Sequence, residues 1–272
     1  MKKKKNRIKQ MKIDIILNLY YQPTKVLKDH IEHNNHLYVP MNTGNLKGTN
    51  DWCDKHLRYE TDLKYNISNL NPKLNEMTAI YAYWKNLMKD ADYIGFNHYR
   101  RLFRIEDLND IAEYDIIDAK PIPMVFNMSF FTRSPIPNYV PTDIKKGYAI
   151  CHKIDDWNKM EELIKKTPYY VDFEDWSKQN CLTSPCNMFI MKKKIFEEYC
   201  EFIFPILFEL EKQVDLTGYD NYQKRQISFL AERMTSLFLY VKKQQGYKFK
   251  TIDTLFFSEW KPAEATDKRG LY

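Results

Sequence analysis

Apolar residues recur along the chain with the two periods that distinguish strands from helices. Residues 12 to 21, KIDIILNLYY, are almost continuously β-branched or aliphatic, which predicts a buried strand of a parallel sheet. Residues 71 to 90 carry apolar positions at helical spacing, with Asn71 as the predicted N-cap and Pro72 in the first turn. This helix leads directly into YIGF, which predicts a second short strand.

The second half of the chain is predicted to be mostly helical. One amphipathic helix is predicted over residues 142 to 166, and two longer ones over 194 to 214 and 220 to 243. The segment CNMFIMKK, residues 186 to 193, predicts a central strand. Residues 30 to 71 are rich in Asn, Asp, His and Gly without a sustained period, which predicts a long loop. We therefore predict an α/β fold with a mixed, mostly parallel central sheet, flanking helices and a helical C-terminal part.

The net charge of +6 is concentrated at the beginning of the chain. Six of the 42 Lys and Arg residues lie in residues 1 to 10 without an acidic residue, so the remaining 36 balance the 36 Asp and Glu residues. The balanced part lacks the basic surface of a nucleic-acid-binding protein, and no nucleic-acid partner is expected. We predict a disordered basic tail over residues 1 to 10 and a single domain over residues 11 to 272. A weak tether of this tail to anionic lipid is the alternative.

The five cysteines form neither a CxxC pair nor the paired spacing of a zinc site, which favours reduced thiols in a cytoplasmic protein. No signal peptide is recognisable. The apolar run FIFPILF, residues 202 to 208, is shorter than the roughly 20 residues that cross a bilayer. We expect a cytoplasmic protein, peripheral at a membrane if its tail binds lipid.

The strand YIGF continues into NHYRRLF, which concentrates hydrogen-bonding and positive side chains at the strand's carboxyl end. Ligands of open α/β sheets bind beyond that end, so His98, Arg100 and Arg101 are candidate site residues. Arginine donates in pairs to phosphate oxygens, and His98 can add a donor or act as an acid. The sequence contains neither GxGxxG nor GxxxxGK[ST], so side chains would have to bind the phosphates of a nucleotide. The alternative is that one arginine pairs with carboxylates and the other faces water.

A DxD sequence occurs at Asp90, Ala91 and Asp92, but it precedes the strand YIGF. This position lies at the opposite end from the predicted site. We interpret it as a helix end and predict no metal site there.

Four segments carry a resemblance to a known family, namely NISNLNPKLNEMTAIYAYWKN, DYIGFNHYRRLF, SPCNMFIMKKKIFEEYCEFIFPILFELE and RQISFLAERM. From about Lys12 to Tyr240 the chain resembles a capsular and exopolysaccharide biosynthesis family that has an HYRR signature and is long known as a domain of unknown function. Its members look like glycosyltransferases with the GT-A fold for nucleotide-diphospho-sugars. The resemblance implies transfer of a hexosyl or pentosyl group from a nucleotide-sugar donor to a glycan, polysaccharide or lipid-linked acceptor. It implies no resident cofactor or metal, because HYRR stands where related folds keep metal-binding aspartates.

The resemblance also implies roles for individual residues. His98, Arg100 and Arg101 would bind the donor diphosphate. Tyr20, Tyr21 and Lys25 follow the first strand, where nucleotide-binding residues are expected. The residues implied to bind the sugar or acceptor are Asn75, Asn97, Asn187, His152, Arg225 and Arg233.

Catalytic candidates are Glu232 and Glu76 as the base that takes a proton from the acceptor hydroxyl, and His98 as the acid. For Glu232 the alternative is an internal ion pair with Arg233. For Glu76 the alternative is stabilisation of a helix N-terminus.

Two other classes of protein remain open. A non-catalytic glycan- or nucleotide-binding module with the same fold would bind the donor without transferring it. A lipid-surface protein would depend on its basic tail.

Overall fold

The computed structural model describes residues 11–44, 46–127 and 139–257. The predicted tail, residues 1 to 10, lies outside them. In chain order the strands are β1 (Ile13–Leu19), β2 (Tyr38–Asn42), β3 (Arg58–Tyr59), β4 (Tyr93–Asn97), β5 (Arg101–Phe103), β6 (Ile116–Ala119), β7 (Ile122–Pro123), β8 (Val125–Asn127), β9 (Tyr139–Pro141), β10 (Cys181–Leu182), β11 (Phe189–Lys192), β12 (Phe249–Ile252) and β13 (Thr254–Phe256). The α-helices are α1 (Lys25–His33), α2 (Asp51–His56), α3 (Asn71–Leu74), α4 (Met77–Asn86), α5 (Ile144–Cys151), α6 (Ile154–Ile164), α7 (Phe173–Ser177), α8 (Lys193–Gln213) and α9 (Gln226–Gln244).

A seven-stranded sheet with the order β12-β6-β11-β4-β1-β2-β3 forms the centre of the molecule. Neighbouring strands are parallel except at β11, which runs antiparallel to β4 and β6. The predicted mixed, mostly parallel sheet is confirmed. Because β11 is reversed, its first residue, Phe189, lies opposite Phe96 near the carboxyl end of β4. The start of β11 and the ends of β1 and β4 therefore share one edge of the sheet, here called the carboxyl edge.

Both faces of the sheet are buried, which explains the continuous apolar run of β1. Ile16 faces one hydrophobic cluster, together with Phe196 of α8. Ile15 and Leu17 face the other, together with Leu27 of α1. Successive side chains of a strand point to opposite faces, so a strand covered on both sides has no polar positions to alternate.

The prediction of a long loop over residues 30 to 71 is wrong. This region contains the end of α1, all of α2, and β2 and β3, which complete the sheet. Its local sequence signal is weak, and Pro40 lies inside β2. Pairing with β1, in which Val39 lies opposite Ile16, holds the strand in place. Tertiary context of this kind often overrides local strand preference.

The single helix predicted over residues 71 to 90 is divided into α3 and α4. Asn75 between them has a φ of 45°, which ends a right-handed helix. The N-cap of α3 is Leu70 rather than Asn71. The Asn71 side chain instead donates to the Asn75 carbonyl at 3.0 Å and to Thr78 Oγ1 at 3.0 Å, which supports the break.

The helix predicted over residues 142 to 166 is also divided, into α5 and α6, with His152 in an extended conformation between them. The two long C-terminal helices are confirmed as α8 and α9, although α9 begins later than predicted, at Gln226. The strand predicted at residues 186 to 193 is confirmed as β11. Within the described residues, no helix combines the length and apolar character that crossing a membrane requires.

Candidate active site

The HYRR segment forms a tight turn at the carboxyl end of β4. The Arg101 amide donates to the His98 carbonyl at 3.0 Å, so Tyr99 and Arg100 occupy the centre of the turn before β5 begins. Side chains of a continuing strand would alternate between two faces. The turn removes that restriction, and both Arg100 and Arg101 lie near the imidazole of His98.

The electrostatics of this turn keep His98 neutral. Burial, followed by the positive charges of Arg101, Arg100 and Arg225, lowers the pKa of His98 to about 3. A neutral imidazole offers one N–H donor and one lone pair. His98 therefore adds no positive charge near pH 7.

The loop that leads into β11, residues 184 to 187 with the sequence SPCN, contacts this turn. The Arg101 guanidinium donates to Cys186 Sγ at 3.3 Å. Ser184, Cys186 and Asn187 have φ values of 52°, 58° and 57°. Such angles cost a non-glycine residue about 1 kcal/mol or more, and they cluster at functional sites.

Asn75 shares the positive φ of the SPCN loop and lies in the same site. With its amide oriented to satisfy its neighbours, Asn75 accepts hydrogen bonds from Arg225 Nε at 2.8 Å and Ser228 Oγ at 3.0 Å. In the part of the chain that the structure describes, the non-glycine residues with positive φ are these four alone. The backbone strain is thus concentrated where the charged side chains meet.

Glu76 faces the SPCN loop from the start of α4. Asn187 Nδ2 donates to Glu76 Oε1 at 2.9 Å. Burial raises the pKa of Glu76, although its own backbone amide, Asn187 and the charge of Arg225 oppose the rise. A carboxylate with a raised pKa is a stronger base at neutral pH than an exposed one.

Glu232, the other candidate base, has both carboxylate oxygens engaged. Its Oε1 accepts the Cys186 amide hydrogen at 2.6 Å, and its Oε2 forms an ion pair with Arg233. The Glu232 side chain is 13% exposed. The internal ion pair with Arg233, which the sequence left as the alternative, is therefore present. The other carboxylate oxygen of Glu232 holds the strained loop through the Cys186 amide.

An aromatic groove extends from the HYRR turn toward the end of β1. The rings of Tyr21 and Tyr99 are 5.9 Å apart, and the guanidinium of Arg100 lies 5.0 Å from the Tyr99 ring centre. The groove continues past Pro23 to Phe257. Tyr20 contacts Tyr21 with a ring distance of 4.8 Å and is 45% exposed. The enclosed space of this groove is only about 20 Å³, so a flat ring would lie on the exposed faces of Tyr20 and Tyr21 rather than inside it.

The structure leaves three candidates out of this cluster of side chains. Lys25 lies on the exposed surface of α1, where it pairs with Asp29 at 2.6 Å. Asn97 is fully buried, and its Oδ1 accepts the Phe103 amide hydrogen at 3.3 Å. The third candidate, His152, lies against Phe229 and near Arg233. Burial and the charge of Arg233 lower the pKa of His152 to about 4.

Aromatic rings surround His152, which makes it a packed histidine rather than one open to a ligand. Phe229 and Tyr222 stack on its ring at 4.5 and 6.1 Å, and Nδ1 lies 3.2 Å from Gln223 Oε1. Arg233 is buried against the same region, 5.8 Å from the Tyr148 ring centre.

Asp92 of the DxD sequence lies at the amino end of β4, where it accepts the Lys12 amide hydrogen at 2.9 Å. In the described ranges, no three His, Cys, Asp or Glu side chains are grouped as metal ligands. HYRR and SPCN contain no carboxylate. Their side chains supply nitrogen donors, two hydroxyls, an amide oxygen and one thiol instead.

A solvent-open cavity of about 590 Å³ lies at the β3 edge, away from these residues. Both of its carboxylates are already engaged, since Lys47 contacts Asp62 at 2.7 Å and Tyr59 donates to Asp54 at 2.8 Å. Size alone therefore does not make it the better site. The HYRR cluster has the stronger chemical argument.

Cys186 and Thr235 are site residues that sequence reasoning missed. Cys186 contributes its backbone amide and its sulfur, and Thr235 donates to Asn187 at 2.7 Å. A backbone amide has no signature in the sequence, and Thr235 lies 48 positions from its partner. The SP pair before Cys186 was the only local indication of a turn.

Comparison of the sequence with family models identifies the family of this chain. The family model described as "Domain of unknown function (DUF4422)" matches residues 23–244, which is more than half of the chain. The chain belongs to the DUF4422 family. No curated protein matches it.

This DUF4422 protein is similar in structure to the WbbM bifunctional glycosyltransferase, solved in its apo form. The TM-score is 0.66 with 20% sequence identity, and the match covers 93% of this chain. The chain corresponds to about half of the other protein, 48% of whose length is covered. At this identity the likeness concerns the fold alone, and it confirms the predicted α/β fold with its mixed, mostly parallel sheet.

Proposed function

We propose that this DUF4422 protein is a glycosyltransferase that moves a hexosyl or pentosyl group from a nucleotide-sugar to a glycan, polysaccharide or lipid-linked acceptor. One observation carries the proposal. The positive charges of Arg100, Arg101 and Arg225 act on His98 at the carboxyl edge of the sheet, and Arg225 also acts on the half-buried Glu76. The shared fold with a glycosyltransferase supports the same conclusion.

The donor is proposed to lie along the carboxyl edge. Its base stacks on the exposed faces of Tyr20 and Tyr21, and its diphosphate binds Arg100 and Arg101. Guanidinium groups neutralise phosphate charge permanently and donate to two oxygens at once. Bound diphosphate would offset the arginine charges that, after burial, lower the pKa of His98, and this rise is the condition for His98 to act as the acid at the leaving phosphate.

Glu76 is the proposed base. Its carboxylate takes the proton of the acceptor hydroxyl while the hydroxyl oxygen bonds to the anomeric carbon of the donor sugar. The bond from that carbon to the diphosphate breaks, and its electron pair stays on the diphosphate oxygen beside the arginines. Glu232 instead holds the SPCN loop, because both its oxygens are engaged.

No divalent metal is proposed for the reaction, since arginine side chains occupy the position at which the diphosphate would need a cation. We place the protein in the cytoplasm, in capsular or exopolysaccharide synthesis, with the basic tail in weak contact with anionic lipid. These assignments rest on the family resemblance and on the charge pattern.

A donor screen followed by a product assay tests the proposal. A panel of nucleoside diphosphate sugars is first screened by thermal shift, because a ligand of the native state raises the unfolding temperature. Mass spectrometry then follows sugar transfer to oligosaccharide and lipid-linked acceptors, by wild type, Glu76→Gln and the surface control Glu174→Gln. Transfer by wild type and the control, but not by Glu76→Gln, is expected.

Donor binding without a product in any arm would identify a non-catalytic binding module instead. A parallel assay with chelator separates the metal question. Activity that disappears in chelator and returns with a divalent ion would refute the metal-free reaction while leaving the transferase assignment intact.

A further inference from the structure

A buried chain of hydrogen bonds leads from the core to Glu76. The hydroxyl groups of Tyr199 and Thr235 are 2.8 Å apart. Thr235 Oγ1 lies 2.7 Å from Asn187 Oδ1, and Asn187 Nδ2 lies 2.9 Å from Glu76 Oε1. Tyr199, Thr235 and Asn187 are all completely buried.

The number of available hydrogen atoms determines which group donates in each of these hydrogen bonds. Thr235 has one hydroxyl hydrogen and three neighbours, namely Asn187 Oδ1, the Ala231 carbonyl at 3.0 Å and the Tyr199 hydroxyl. The first two can only accept, so Tyr199 is the neighbour that donates to Thr235. Thr235 then donates to Asn187 at the shorter distance. This bond occupies the amide oxygen of Asn187 and turns its Nδ2 toward Glu76.

We infer that Thr235 is a positioning residue that acts through Asn187 to present an N–H group, rather than an oxygen, to Glu76. An N–H donor favours the carboxylate form of Glu76, whereas an amide oxygen would favour the protonated acid. The strained backbone of Asn187 fits this role, because a φ of 57° places its side chain between α4 and α9. The consequence for catalysis rests on the proposed function, in which Glu76 must be ionised to accept a proton.

Other groups also act on Glu76 and must be separated from the effect of Thr235. Arg225 at the start of α9 favours the carboxylate, and Glu232 on the same helix opposes it. Cys186 and Tyr199 face Glu76 from the SPCN loop and α8. Substitution of Thr235 leaves all four side chains in the protein, so a comparison of Thr235 variants isolates the hydroxyl.

The direct test is a carboxyl titration. Carbon-13 NMR follows the Glu76 side chain in protein labelled at glutamate, with Glu76→Gln assigning the signal. Thr235→Val keeps the shape of the side chain and removes the hydroxyl, and Thr235→Ser keeps the hydroxyl. We expect Thr235→Val to raise the titration midpoint of Glu76 by about one pH unit, since one net hydrogen bond and one pKa unit are of similar size. Thr235→Ser should titrate like wild type.

Equal midpoints in wild type and Thr235→Val would overturn the inference, as would an equal rise in Thr235→Ser and Thr235→Val. Thermal unfolding checks that each variant is folded. Thr235→Ala replaces Thr235→Val if the latter is not folded, and the same outcomes apply to it.

The activity arm distinguishes this inference from the proposed function. The acid limb of kcat/KM should move to higher pH in Thr235→Val, in step with the titration. If the titration shifts as expected and wild type transfers no sugar, the positioning role stands and the proposed function fails. If wild type transfers sugar but the midpoint of Glu76 does not respond to Thr235→Val, the positioning role fails alone.

Discussion

The two ends of β4 differ in how the described residues arrange charge: opposite charges pair at the amino end, whereas several arginines come together at the carboxyl end. Asp115 lies beside the amino end and accepts hydrogen bonds from Lys192 Nζ at 2.7 Å and the Lys248 amide at 2.9 Å. Although burial opposes it, these bonds lower the pKa of Asp115. Asp92 is likewise held by the Lys12 amide. This edge has the arrangement that folding alone favours.

The carboxyl end of the same strand brings positive side chains together. Among the described residues, Arg100, Arg101 and Arg225 act on His98 there, and Arg225 also acts on Glu76. Every non-glycine residue of positive φ in the described ranges also lies at this end. Strained backbone and clustered like charges reduce stability, and both are typical of functional sites.

Exchanging one carboxylate at each end gives the largest expected contrast. Glu76→Gln should lower sugar transfer about 10²- to 10⁴-fold, the usual contribution of a general base, with little loss of stability. Asp115→Asn should leave transfer near wild type and lower the free energy of unfolding by about 1 kcal/mol, since it weakens a charged hydrogen bond near the surface. Product assays and urea denaturation measure the two effects. A similar loss of transfer in both variants would remove the distinction between the two ends.

Removing Arg100 or Arg101 tests whether these side chains bind the donor diphosphate. Arg100→Ala or Arg101→Ala should raise the dissociation constant of the donor about 10- to 100-fold, because each removes charge-assisted hydrogen bonds to phosphate. Arg104→Ala, an exposed arginine just after β5, is the matched control and should bind the donor like wild type. Calorimetric titration with the donor measures the difference. Unchanged binding in both site variants would place the diphosphate elsewhere.

Much of the fold, and the position of the charged carboxyl edge, were predictable from local sequence. The strands β1 and β4 and the helices α8 and α9 have strong periodic signals, and the position of HYRR after a short strand predicted the charged edge. Residues whose structure depends on distant contacts were not predictable. β2 is a strand because it pairs with β1, and the break at Asn75 depends on hydrogen bonds with Asn71 and Arg225.

The two glutamates illustrate the same limit within the site. From the sequence, Glu232 was the better candidate for the base, because a position at a helix N-terminus gave Glu76 a stronger structural explanation. In the structure, Glu232 accepts the amide of Cys186, which lies 46 positions away, and pairs with its neighbour Arg233. Glu76 accepts one hydrogen bond from Asn187. Sequence spacing predicted which side chains were chemically suitable, but only tertiary contacts show how each carboxylate is engaged.

The middle of β4 offers a smaller test, of stability alone. A methyl group added at Gly95 would lie 2.7 Å from Ile190 Cγ1 and 3.1 Å from the Phe189 carbonyl oxygen, across the junction with β11. Gly95→Ala should therefore lower the free energy of unfolding by about 1–3 kcal/mol. Gly147→Ala is the control, because its closest contact is the flexible end of Met124 and the position is helical. Urea denaturation that showed equal losses would mean that the β4–β11 junction can adjust.

The smallest expected effect concerns the pH dependence that the carboxyl edge gives to stability. The pKa of His98 is about 3 in the folded protein and near 6.5 in the unfolded chain, so the unfolded chain binds more protons between these values. Stability supplied by the neutral imidazole is complete above pH 6.5 and falls as the pH is lowered toward 3. Relative to His98→Asn, wild type should lose about 1 kcal/mol between pH 6.5 and pH 5.5.

Urea denaturation across this pH range measures the difference, and His152, present in both proteins, cancels. Adding inorganic pyrophosphate sharpens the test, because an anion among Arg100, Arg101 and Arg225 opposes the charges that lower the pKa of His98. The difference in slope between wild type and His98→Asn should then decrease. A difference that pyrophosphate leaves unchanged would count against an anion site among these three arginines, and the diphosphate of the donor would have to be placed elsewhere.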